Sequence, residues 1–295
     1  MSALLDAIKA SHLALLSPPA TVDAAHIYNA AVCSATAFAI CGLVHFFIAR
    51  RFKRQYFALH VFANAVITAL VLPASLRALL HPTNSTVVTP GHQPNVLYMC
   101  WIYALHIYHP CFFKTGVMDW VHHVPVYIIN TLSFSIPAGD VIGLQSLIMT
   151  GIPGGLDYLL QVLEGEGRLS RARYKELCAA INTWLRAPLG AVSAYICFAG
   201  LYHGWDATTA WQRFVFSLLA LHAVWNPPFF GRQAVEANVV DTINRHGLAS
   251  AELKLPKVRA LAGKPAAAAT AAPYPVGAAA TAAAASPSKD AKKAK

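Results

Sequence analysis

Seven apolar stretches divide this chain, and the loops between them carry positive charge on alternate sides. The stretches cover residues 26–49, 58–79, 96–113, 120–137, 141–163, 178–200 and 211–230. Each approaches the ~20 residues that carry a helix across a bilayer's hydrocarbon core. Only 12% of the 295 residues are charged and 56% are hydrophobic, against a charged share of about 25% in an ordinary soluble domain. Mean hydropathy is +0.46. The expected fold is all-α: a polytopic membrane bundle of about seven helices. Residues 1–25 form a lumenal N-terminal segment, 26–230 the membrane domain, and 231–295 a basic, Ala/Pro-rich, disordered cytosolic tail.

The first 25 residues lack a basic leader and a small-residue cleavage site, so they do not read as a cleaved signal peptide. Leu4, Leu5, Ile8, Leu13, Leu15 and Leu16 suit a short interfacial helix. The net charge of +10 does not indicate nucleic acid. Residues 231–295 hold ten Lys/Arg and four Asp/Glu, and most of the remaining excess sits at span ends, where basic residues set orientation. The six cysteines include no CxxC pair and support neither a disulfide framework nor a zinc site.

Arg50, Arg51, Lys53 and Arg54 follow the first span, Lys114 the third, and Arg168, Arg171, Arg173 and Lys175 the fifth. The intervening loops 81–95, 138–140 and 201–210 have no Lys or Arg. This bias places the N-terminus in the lumen and the C-terminus in the cytosol. Arg77 and Arg213 are exceptions, and both can snorkel to the interface. Asn84-Ser85-Thr86 is a glycosylation sequon in an expected outer loop. The chain ends Lys292-Lys293-Ala294-Lys295, similar to a dilysine signal for retrieval to the endoplasmic reticulum. A multi-pass protein of that membrane is the expected localisation.

Ionisable residues inside spans are the candidates for function. His122 and His123 occupy the first turn of the fourth span, and Asp157 lies near the cytosolic end of the fifth. Arg186 enters from the same side in the sixth span, and His222 and Asn226 approach that level in the seventh. A buried carboxylate is costly unless protonated or paired, so Arg186 is the expected partner of Asp157. His122, His123 and Asp157 are candidate catalytic residues for acid/base or acyl-acceptor chemistry. The competing reading leaves the histidines marking the interface and the Asp157–Arg186 pair as internal glue. His106 and His109 suggest a histidine-rich metal centre, but without an HxxHH box they read as packing or interfacial residues, and no metal is expected. Asn226-Pro227-Pro228 looks like the last-span motif of seven-helix receptors, yet the prolines more simply end the seventh span. That span has no Schiff-base lysine of the rhodopsin kind.

The segment from Met118 to about Gly190 resembles the TLC family, the membrane domain shared by TRAM, ceramide synthases and CLN8-like proteins. The resemblance rests on Asp119-Trp120-Val121-His122-His123, on Ser133-Phe134-Ser135 followed by Gly139 or Gly143, on Leu156-Asp157-Tyr158-Leu159-Leu160, and on Asn182-Thr183-Trp184-Leu185-Arg186. It implies a lipid-metabolism, trafficking or lipid-homeostasis protein with a lipid-sized cavity open to the cytosolic leaflet. It requires no cofactor. Membrane lipids are the implied partners, nucleic acid is not, and self-association into a homodimer stays open. The alternative is a sphingoid-base N-acyltransferase taking acyl-CoA as substrate. Against it, ceramide synthases carry a His-Asp where this chain reads Met149-Thr150-Gly151-Ile152-Pro153-Gly154-Gly155. That stretch suits a kink or a close backbone approach instead. Fatty-acid elongases are a further alternative: Leu105-His106-Ile107-Tyr108-His109-Pro110 looks like their histidine box with its last His replaced.

The orientation predicts that glycosidase treatment shifts the band of wild type but not of Asn84→Gln, while protease trims the C-terminus in intact microsomes. A lumenally protected C-terminus contradicts it.

Overall fold

The computed structural model describes residues 2–16, 22–87 and 94–246. The described residues are helical and form no strand. In chain order the helices are α1 (Ser2–Leu16), α2 (Ala24–Phe47), α3 (Gln55–Leu80), α4 (Leu97–Phe112), α5 (Val117–Phe134), α6 (Asp140–Ser146), α7 (Ile152–Gly165), α8 (Arg171–Ala180), α9 (Ala187–His203) and α10 (Ala210–His246). A π-helical turn, Leu147–Gly151, joins α6 to α7, and another, Ile181–Arg186, joins α8 to α9. Four helical segments are long and apolar enough to cross a membrane: Ala24–Arg51, Gln55–Leu80, Arg171–His203 and Ala210–Arg245. The shortfall from seven has a geometric side, since α4 has 16 residues and at 1.5 Å per residue is shorter than the ~30 Å core.

Helix ends follow local chemistry. Asp23 caps α2 by accepting from the His26 N–H at 2.8 Å. Thr209 and Gln212 form a reciprocal capping box at the start of α10, with bonds of 2.8 and 3.2 Å. The two π turns have a common cause. Pro153 and Pro188 each lie just beyond one of them. Proline lacks an N–H and crowds the carbonyl four residues back, and a widened turn accommodates both defects without breaking the helix.

The main packing pairs are α2 with α4, α3 with α6 and α7, and α9 with α10. Close approach is bought with glycine. A Cβ on Gly190 of α9 would sit 2.6 Å from Pro227 Cγ and 2.7 Å from the Ala223 carbonyl of α10. A Cβ on Gly143 would sit 2.9 Å from Ala74 Cβ. Outside, Trp184 and Tyr202 are each 80% exposed, while Ser75, Ser193 and Gln145 are buried. That distribution suits an apolar solvent rather than water. The α1 helix docks onto the bundle through buried Leu15, whose carbonyl accepts from Val96 N at 3.0 Å. All six cysteines are free, and all but Cys111 are buried.

One expectation changes. Pro227 and Pro228 do not end the last helix: α10 runs through them to His246, past the expected boundary at 230. Its final turns pack on α8 around Tyr174, Cys178 and Ala234, and Asp241 binds Arg171 at 3.3 Å and Arg245 at 2.9 Å. Arg77 at the end of α3 is paired, its guanidinium gripping Asp140 at 3.0 and 3.2 Å. Asp140 lies in the first turn of α6, where the helix dipole favours a carboxylate. On the opposite side Arg54 pairs with Glu164, and Glu166 accepts from Lys53 N at 2.7 Å. Asn84 is exposed in the turn Pro82–Asn84, while Ser85 and Thr86 are buried against α9. Residues 247–295, including Lys292 and Lys293, lie outside the described residues.

Gly190→Val drives side-chain atoms into α10 backbone and is expected to destabilise the bundle by about 1–3 kcal/mol. Thermal unfolding in detergent measures this, and an unchanged midpoint contradicts the close contact.

Candidate functional site

Polar side chains from seven helical elements, Thr150 of the first π turn among them, converge on a cavity of about 110 Å³. Its wall is built from His60 and Asn64 of α3, His106 of α4, Asp119 and His122 of α5, Gly154, Asp157, Tyr158 and Gln161 of α7, Arg186 of the second π turn, and Asn226 and Phe230 of α10. A water needs ~10–15 Å³ of such space, so the cavity takes a headgroup-sized object. It is smaller than the lipid-sized cavity implied by the resemblance.

Five imidazoles pack beside it. His60, His106, His109 and His123 are at most 3% exposed, whereas His122 is half-buried and faces the cavity. The rings touch in sequence: His60 and His109 have centroids 4.1 Å apart, His109 and His123 5.2 Å, His123 and His106 5.1 Å, and His106 and His122 5.2 Å. Tyr56 and Tyr158 cover the His60 end at 4.4 and 4.1 Å. His106 and His109 are one turn apart on α4 and meet the adjacent histidines of α5 across an antiparallel hairpin. Their packing is thus against the other histidines of the cluster.

Hydrogen bonds set the protons. His106 Nδ1 lies 2.7 Å from the Ile102 carbonyl, which can only accept, so Nδ1 carries the hydrogen and Nε2 the lone pair. His122 Nε2 is 3.2 Å from that lone pair and donates to it when both rings are neutral. The remaining lone pair, on His122 Nδ1, is the one able to accept a proton or attack an electrophile. His123 does not line the cavity; its Nε2 is 3.2 Å from His109 Nδ1, and its Nδ1 is buried without a partner. The structure thus separates the two adjacent histidines by role, which their sequence positions do not.

The expected Asp157–Arg186 ion pair is not formed. Arg186 donates from Nη1 to Asn182 Oδ1 at 2.9 Å, and its Nε is buried without a partner. Asp157 is 8% exposed, its Oδ1 also unpartnered, and it lies against the Cys178 thiol. Both groups line the same cavity. Asn226 lines it as well, while His222, one turn away, does not, and its Nε2 is buried without a partner. Among the described residues no group of three or more His, Cys, Asp or Glu is arranged to hold a metal ion.

Sequence reasoning missed His60, Asn64, Tyr158 and Gln161. A signal for the first two was available: they are four apart, hence on one helix face, near the same end of a span as His122 and Asp157.

A double-mutant cycle of Asp157→Asn and Arg186→Gln on stability is expected to show coupling below about 1 kcal/mol, because the groups are not in contact. Coupling of several kcal/mol restores the direct pair.

No protein-family model, curated protein or solved structure matches the chain.

Proposed function

We propose that the chain is a lipid-handling protein of the TLC type that holds the polar end of a membrane lipid in this cavity. In this reading it crosses the endoplasmic-reticulum membrane seven times, with the N-terminus lumenal and the C-terminus cytosolic. One observation carries the proposal. Within an apolar, outward-greasy bundle, Asn64, Asp157 and Arg186 each present a buried polar atom without a protein partner around one small space. Buried polar atoms are normally satisfied, and leaving one unpaired costs about 1–3 kcal/mol. A polar ligand would satisfy all three, while its acyl chains would stay among the exposed aromatic and aliphatic side chains. The motif Asp119-Trp120-Val121-His122-His123 supports the family assignment, since both histidines belong to the cluster at the cavity.

A second reading, acyl transfer from acyl-CoA to a sphingoid base, rests on the His106–His122 contact. In it, His122 Nδ1 takes a proton from the attacking amine as the new C–N bond forms. The thioester C–S bond breaks, and that proton passes to the departing thiolate, leaving an amide and a thiol.

Lipid extracted from protein purified in mild detergent tests the first reading: one lipid class is expected at near one-to-one ratio in wild type and lost in Arg186→Gln. Protein that carries no enriched lipid overturns it. Labelled acyl-CoA with a sphingoid base tests the second. Product from wild type but not from His122→Ala supports it, and no turnover across several chain lengths removes it.

A further inference from the structure

Gly154 supplies the detail that identifies the ligand's chemistry. A Cβ at this position would lie 3.3 Å from Asn64 Nδ2 and 3.6 Å from Arg186 Nη2. The missing side chain therefore forms a notch in α7 that two donors from two other elements occupy, at van der Waals distance from where a Cβ would stand. Asn64 is 2% exposed, and its Nδ2 has no partner; Arg186 Nε has none either. One turn along the same face of α7 lies Asp157, whose Oδ1 is the unpartnered acceptor. Among the described residues lining the cavity, Arg186 is the only Lys or Arg, and Asp157 and Asp119 are the carboxylates. Asp119 is already engaged, its Oδ2 accepting from Gly116 N at 2.7 Å.

We infer that this notch is a subsite for a phospholipid headgroup that carries a phosphodiester and a primary ammonium. The inference rests on the lipid-handling reading above and names the headgroup. The phosphodiester oxygens accept from Arg186 and Asn64 at the notch, where a guanidinium offers paired donors to a single negative charge. The ammonium donates to Asp157. Arg186 and Asp157 do not form an ion pair, whose limit is 4.0 Å, so each keeps a charge to offer to one end of such a headgroup. A phosphomonoester carries about −1.5 to −2 charges at pH 7 and would face two carboxylates across one guanidinium. A phosphodiester carries one negative charge, and the adjoining ammonium offsets it. A trimethylammonium has no N–H for Asp157 Oδ1 and would leave that oxygen unsatisfied. The cavity of about 110 Å³ admits such a headgroup.

The test titrates full-length protein, held in a non-ionic maltoside, with dihexanoyl phosphatidylethanolamine by calorimetry. Dihexanoyl phosphatidylcholine, dihexanoyl phosphatidic acid, hexanoate and inorganic phosphate are the comparison probes. Saturable binding of the ethanolamine lipid is expected, at least ten-fold tighter than any other probe. Arg186→Gln and Gly154→Ala should each weaken it ten-fold or more, the latter because the new methyl fills the notch. Asp157→Asn should erase the preference for ethanolamine over choline while phosphodiester binding persists. That variant decides the matter if Gly154→Ala lowers the unfolding midpoint. Equal binding of the ethanolamine and choline lipids, or tighter binding of hexanoate or phosphate, overturns the inference, as does an unaltered preference in Asp157→Asn. If the purified protein retains a different lipid class that Arg186→Gln releases, this inference falls and the lipid-handling reading stands. If no lipid is retained and no probe binds, both fall.

Discussion

Proline cannot donate a backbone hydrogen bond, and at two positions that constraint shapes the centre of the molecule. Pro153 and Pro188 fall inside what would otherwise be continuous helices, α6 into α7 and α8 into α9. In a low-dielectric surrounding, a broken helix exposes carbonyls that nothing else can satisfy. The chain widens one turn ahead of each proline, at Leu147–Gly151 and Ile181–Arg186, and the helix continues. The first widened turn contributes Met149 and Thr150 to the cavity wall, and the second contributes Arg186. Gly154, next to Pro153, leaves the adjacent notch. The cavity is thus a consequence of how two helices absorb their prolines.

Around that space the polar groups are satisfied to different degrees, and even in the imidazole cluster His109 Nε2 and His123 Nδ1 lack partners. The imidazoles bond largely to one another and to backbone: His60 to the Tyr56 carbonyl at 2.8 Å, His106 to Ile102, His122 to His106, and His109 to His123. Their stack joins α3, α4 and α5, and holds His122 in one orientation at the cavity surface. The groups facing it, Asp157, Arg186 and Asn64, keep unpaired atoms. Unpaired buried atoms gathered around one space are the feature on which the proposed lipid-handling role rests.

Charge pairing and glycine contacts fix the frame in which this occurs. Arg77 with Asp140 ties α3 to α6 at one end of the bundle, and Arg54 with Glu164 ties the loop before α3 to α7 at the other. The first clamp holds α3, which bears Asn64, and the second holds α7, which bears Gly154. Gly143 against Ala74 and Gly190 against Pro227 bring backbones close enough for dispersion to hold helices together where burial from lipid gains little.

The positions of the helices were legible in the sequence, because apolar runs and their flanking caps are local properties of the chain. So was the convergence of His122, Asp157 and Arg186, which line one cavity, since rise per residue converts sequence position into height along a helix. Rotation about the helix axis was not legible, and it decided what the site contains. It turned His122 into the cavity and His123 away from it, brought His106 and His109 into register with them, and recruited His60 and Asn64 from α3. It also separated Asp157 from Arg186, a pair that matching height and opposite charge make the natural expectation. Whether two groups at one height meet depends on how helices pack, through small residues and prolines acting across the bundle. That information belongs to the tertiary structure alone.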